Sequence, residues 1–209
     1  MKWKRRETAE WRRQLSRLLV LALFFFAGIL LGQVFSSRVP DTTGDELARY
    51  LKDFLKVGEE DPSPRAALSA AVLYFRYPLA AFLLGFASIG VLALPLVTGA
   101  FGGFLSFSVC CFTASFGPDG VLLALAVFGL RCVVTLPCYF LLAVPALERS
   151  AALACLSLGG GRRAGPALYG REWWGRLAVV AGVLLAGVCA DLMLTPWFLR
   201  QLLERMLIG

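Results

Sequence analysis

From Leu18 to Phe35 the chain carries no charged residue, and the apolar stretches that follow at 66–117, 121–147 and 177–194 carry one each, Arg76, Arg131 and Asp191. Runs of this kind restrict the fold more than any other feature of the sequence. In hydrocarbon every backbone N–H and C=O must find its partner inside the chain, so about 20 consecutive apolar residues become a helix that crosses a bilayer. The composition agrees: 58% of residues are hydrophobic and 17% charged, against roughly a quarter charged in an ordinary soluble domain. The mean hydropathy of +0.72 has the same meaning. The chain is an integral membrane protein, and 209 residues suit one compact bundle with short loops.

The runs predict an all-α, polytopic transmembrane helix bundle of about five spans in a single domain, 1–209. Residues 1–17 read as a basic cytoplasmic segment and 18–35 as span one, an uncleaved anchor, because Ser36 and Ser37 match a signal-peptide cleavage site poorly. Residues 38–65 turn polar and form an outer loop. Within it, TGDELARYLKDFLKVG opens on a capping box, Thr43 with Glu46, and offers a stop at Gly58. Leu47, Tyr50, Leu51, Phe54 and Leu55 recur at helical spacing and make the apolar stripe of an amphipathic helix between spans one and two. Such a helix lies on the membrane or on its own bundle, or docks a partner.

Residues 66–147 hold spans two to four. The stretch from Ala66 to Gly117 is too long for one crossing and predicts spans at about 77–95 and 98–116, with a break near Pro95 and Gly99. Gly28 with Gly32, and Gly99 with Gly103, have the GxxxG spacing that lets helix backbones approach. A tight turn at Gly117, Pro118, Asp119 and Gly120 leads into the fourth run, whose Pro137 and Pro145 a membrane helix tolerates where neighbours satisfy the freed carbonyls. Residues 148–176 read as a basic, glycine-rich inner loop. Residues 177–209 read as span five followed, after Pro196, by a terminal amphipathic helix with Arg200 and Glu204 four apart.

Charge sets the orientation. Lys2, Lys4, Arg5, Arg6, Arg12, Arg13 and Arg17 precede span one, and Arg149, Arg162, Arg163, Arg171 and Arg176 lie between spans four and five, whereas the first loop is acidic on balance. The positive-inside rule then predicts a multi-pass cell-membrane protein with a cytoplasmic amino terminus and the carboxyl terminus outside. The net charge of +7 therefore belongs to the bilayer and not to nucleic acid, since the basic residues are dispersed among apolar stretches.

The chemistry on offer is narrow. The sequence has no histidine, which removes Ser-His-Asp and Cys-His catalysis and imidazole metal sites, and it has no P-loop. Ser88 in GFASIG misses the GxSxG pattern by one residue. The six cysteines form no CxxC pair and lie almost all in apolar runs, where they pack as small hydrophobes. No catalytic residue, cofactor or metal is expected, and the chain reads as a non-enzyme. Arg131 and Asp191 are costly where they stand and are the candidate site. They form an ion pair between two helices, or Arg131 binds carbonyls freed by Pro137, or both line a water-filled path.

The segment LAAFLLGFASIGVLALPLVTGAFGGFLSFSV, with its glycines, Ile-Gly, Pro and Gly-Phe, resembles the stage II sporulation protein M family. RCVVTLPCYFLLAVPAL is similar to that family's proline-bearing fourth span, and ADLMLTPWFL to its closing acidic residue followed by Thr-Pro. The resemblance covers nearly the whole chain. It implies a non-enzymatic membrane scaffold of endospore formation that holds extracytoplasmic peptidoglycan hydrolases, a lytic transglycosylase and an amidase, at the septum during engulfment. The stripe of Leu47, Tyr50, Leu51, Phe54 and Leu55 would then be the docking surface, with the terminal helix around Phe198, Leu202 and Met206 as the other place to look. The rival expectation is a small permease or the membrane subunit of a transporter, with Arg131 and Asp191 lining the path.

Overall fold

A computed structural model describes residues 2–37, 64–157 and 170–208. The described residues are helical apart from short turns and contain no strand. Helix α1 is Lys2–Ser36, α2 is Pro64–Leu84 and α3 is Gly90–Phe116. The short α4, Pro118–Ala124, runs through a π turn at Leu125–Gly129 into α5, Leu130–Ser157, and α6 is Arg171–Ile208. Four of these are long and apolar enough to cross a membrane, and α2 contributes a shorter apolar segment, Ala70–Leu84. The bundle exposes large apolar side chains such as Leu23, Phe26, Leu30, Leu92 and Val179, the outer surface expected of helices whose solvent is lipid. Its centre is Leu21, Phe25, Tyr74, Leu94, Tyr139, Leu142, Trp173 and Leu184.

Contacts between helices fix their directions. Gly28 lies against Gly99 and Gly32 against Gly103, both numbers rising together, so α1 and α3 run parallel. Ala87 meets Ser150 and Thr98 meets Tyr139, so α3 and α5 run antiparallel. Arg131 with Asp191 and Arg149 with Trp173 give the same for α5 and α6. In α2, Tyr74 lies against Arg131 and Gly85 against Ala146, which makes α2 parallel to α5. The five long helices therefore alternate, and the first and last leave the bundle at opposite ends.

Three boundaries differ from the sequence expectation. The break between spans two and three falls at 85–89, not near Pro95 and Gly99. Pro95 sits within the second turn of α3, and Gly99 is a packing surface for α1: a Cβ at Gly28 would collide with the Gly99 carbonyl, and one at Gly102 with the Phe25 carbonyl. The true turn is held from α5, where the Ser150 hydroxyl donates to Ala87 O at 2.7 Å and reaches Ser88 O at 3.3 Å. At the end of span four, α5 continues through Glu148 to Ser157, so the loop expected at 148–176 begins only after the helical ERSAALACLS. Span five and the terminal segment are one helix that passes Pro196 without a break.

Candidate functional site

Two polar layers cross the bundle. Residues 131 and 149 on α5, and their neighbours 191 and 173 on α6, are about 27 Å apart at 1.5 Å per residue, close to the roughly 30 Å of a hydrocarbon core.

The first layer is built on a charge pair. Arg131 Nη2 donates to Asp191 Oδ2 at 3.0 Å, with the two side chains 18% and 6% exposed. The guanidinium carbon stands 5.4 Å from the centre of the Tyr74 ring, so α2 closes the site from a third side. Gly187, one turn before Asp191, makes that approach feasible: a Cβ there would lie 3.0 Å from Tyr74 Cε1 and 2.9 Å from Val134 Cγ1. Thr135 follows Arg131 by one turn and is fully buried. Tyr74 Oη, Arg131 Nε and Thr135 Oγ1 are all buried and make no well-directed hydrogen bond within the chain. Buried polar atoms gathered in this way are the usual setting of ordered water.

A polar stripe continues along α5 for one more turn. The Thr98 hydroxyl donates to Leu94 O at 2.7 Å and stands 2.7 Å from Tyr139 Oη. With its single proton committed to Leu94, Thr98 must accept from Tyr139. Beyond Tyr139 the stripe stops, because Leu142, Ala143 and Ala146 are wholly buried and apolar.

The second layer joins four helices. Arg17 on α1 pairs with Glu148 on α5 at 2.7 Å. The Arg149 guanidinium lies 3.8 Å from the ring centre of Trp173, and Trp173 stacks on Phe82 at 4.7 Å with 13° between ring planes. Trp174 meets Phe82 edge-on at 5.6 Å. A cation on an indole and an aromatic stack give directional contacts at the level where a membrane protein is half wet.

Of the residues singled out by sequence, Arg131 and Asp191 are thus brought together, and Ser88 lies in the turn at 85–89. Leu47, Tyr50, Leu51, Phe54 and Leu55 lie outside the described residues, as do the side chains of Phe198, Leu202 and Met206. Cys111 and Cys138 are buried, Cys155 and Cys189 exposed, and none of the described cysteines is in a disulfide. Among the described residues no group of three potential ligands is placed to hold a metal ion. Sequence reasoning missed Arg76, which stands inside α2 and not at the edge of a span. Its guanidinium donates to Tyr77 Oη at 2.7 Å and lies over the Tyr77 ring. It also missed Tyr74 and Thr135, which carry no charge to mark them in an apolar run. Arg149 was read only as a loop cation, although the doublet Glu148-Arg149 closing an apolar run was the available signal.

The pattern of the whole chain decides its kinship: the model of the family described as Stage II sporulation protein M matches residues 21–196. The chain belongs to that family. The matched region starts on α1 and ends on α6, so it includes part of every long helix, the first polar layer and the second layer apart from Arg17. Stage II sporulation protein M membership makes this a sporulation-related, multi-pass membrane protein. No curated protein and no solved structure matches the chain.

Proposed function

We propose that the protein is a non-enzymatic membrane scaffold of endospore formation, anchoring extracytoplasmic peptidoglycan hydrolases, a lytic transglycosylase and an amidase, at the septum during engulfment. The family match over residues 21–196 carries this reading. The absence of histidine from the whole sequence supports the non-enzymatic part, because the commonest general base is lacking. The amino terminus is cytoplasmic and the carboxyl terminus outside, which puts the loop at 38–63 and the end of α6 in the compartment of the cell wall. The docking surface is the stripe of Leu47, Tyr50, Leu51, Phe54 and Leu55, with the two aromatics as anchors.

The rival, a small permease or transporter subunit, draws on the buried Arg131–Asp191 pair. A polar path would have to cross the sealed layer at Leu142, Ala143 and Ala146, which speaks for the scaffold. The test is co-purification of the full chain with the hydrolases from sporulating cells. The double variant Tyr50→Ser, Phe54→Ser is expected to insert at wild-type abundance and to lose most of its hydrolase. Full retention would show that the stripe only lies on the membrane, and no hydrolase with the wild type would remove the scaffold reading.

A further inference from the structure

Arg76 is a charge that neither polar layer uses. Its side chain is exposed on α2, on the same face as the exposed Val72, Leu73, Leu79 and Leu83, so it looks into lipid and not into the bundle. The pairing of α2 with α5 gives its depth. Gly85 lies against Ala146, and nine residues back along each of these parallel helices sets Arg76 level with Pro137. At 1.5 Å per residue that is about 9 Å inside the level of Arg131 and about 18 Å from that of Arg149, within the apolar slab between the two layers. A cation at that depth is costly unless an anion meets it. Among the described residues no carboxylate lies within ion-pair distance of Arg76, and Asp191 and Glu148 are taken by Arg131 and Arg17.

The cation is nonetheless held in one place. Nη2 donates to Tyr77 Oη at 2.7 Å, and the guanidinium carbon stands 4.7 Å from the centre of the Tyr77 ring and 5.7 Å from that of Phe104 on α3. Tyr77 is itself stacked on Phe101 at 4.3 Å. Two helices thus build an aromatic seat for an exposed guanidinium that spends one of its five N–H donors on Tyr77. The Tyr77 hydroxyl, having accepted from Arg76, keeps its own proton to donate. A helical side chain leans toward the amino end of its helix, so Arg76 reaches toward the membrane surface on the Arg131 side. A phosphodiester is the anion that a bilayer brings to that boundary, and its two free oxygens match the guanidinium fork. Leu79 and Leu83, one and two turns deeper, lie where the tails of such a lipid would run; a free phosphate would leave them unused. A partner helix would have to carry a bare carboxylate in hydrocarbon before docking. We propose that Arg76, with the Tyr77 hydroxyl, binds the phosphate of one phospholipid in the leaflet on the Arg131 side, its acyl chains running past Leu79 and Leu83. The inference uses only the membrane bundle and stands whether or not the protein is a scaffold.

Native mass spectrometry of the purified full chain tests it, with release from detergent micelles holding equal amounts of phosphatidylglycerol and a galactosyl diacylglycerol that has the same tails and no phosphate. The wild type is expected to keep one phosphatidylglycerol that Arg76→Gln keeps about fivefold less often, the effect of one basic side chain near an anionic surface. Arg76 is exposed, so the change leaves the core packing intact. Arg12 is exposed on the basic first half of α1, at the other end of the bundle, and Arg12→Gln removes the same charge without loss of that lipid. Unchanged retention in Arg76→Gln would overturn the proposal, as would equal losses in the two variants or an equal loss of the galactolipid in Arg76→Gln. An Arg76-dependent adduct formed with inorganic phosphate alone would mark a free anion as the ligand, and an Arg76-dependent dimer without lipid would mark a second copy; either sinks the lipid site.

Discussion

Arg131 and Asp191 hold each other's charge, and the cost of that arrangement falls on whichever is left alone. Breaking a buried pair from one side typically costs about 3–5 kcal/mol, because the remaining ion has neither water nor partner. Arg131→Gln and Asp191→Asn should each lower the melting temperature of the detergent-solubilised protein and the yield of folded material. The double variant should recover part of both losses. Losses that add in the double variant would show that the two residues act separately. The pair was legible in the sequence because an ion in an apolar run is conspicuous. Its surroundings were not: Tyr74 reads as one more aromatic and Gly187 as one of many membrane glycines, and only the fold packs them so closely that a Cβ at 187 would lie 3.0 Å from Tyr74 Cε1.

At the scale of helices, the contact of α1 with α3 is made by small residues. In lipid there is no hydrophobic drive to bring two apolar helices together, so close backbone packing carries the association. Gly28 and Gly32 face Gly99 and Gly103 in parallel register, and any side chain at 28 would meet main chain that cannot yield. Gly28→Leu should therefore detach α1 while both helices stay inserted. The melting temperature of the detergent-solubilised protein reports it directly. A loss above the 1–3 kcal/mol of ordinary overpacking is expected, and an unchanged melting temperature would show that α1 is not held by this contact. The GxxxG spacing announced the packing, but the same glycine and Pro95 also imitated a helix break. Punctuation of that kind is learned in water, where a broken helix can bond to solvent. In lipid the break goes where a third helix supplies a donor, here Ser150 at 2.7 Å from Ala87 O.

For the molecule as a whole, the alternation of the five long helices divides the chain into two ends, and charge assigns those ends to the two sides of the membrane. The end that holds Arg17, Glu148, Arg149 and Trp173 also receives the amino-terminal basic segment and the linker at 158–170. The linker at 38–63 and the tail of α6 leave from the other end. Because the helices are joined in one antiparallel register, these segments cannot be reassigned one at a time; the topology is right or inverted as a unit. Six basic residues suffice to show the bias: Lys2, Lys4, Arg5, Arg6, Arg162 and Arg163 set the first end against the acidic linker of Asp41, Asp45, Glu59, Glu60 and Asp61. Alkaline phosphatase, which folds only outside the cytoplasm, should be active when fused after Gly58 and inactive after Gly161. The reverse pattern would invert the whole bundle. Activity at both positions would contradict the alternation itself, because α2, α3 and α5 could not then place the two linkers at opposite ends.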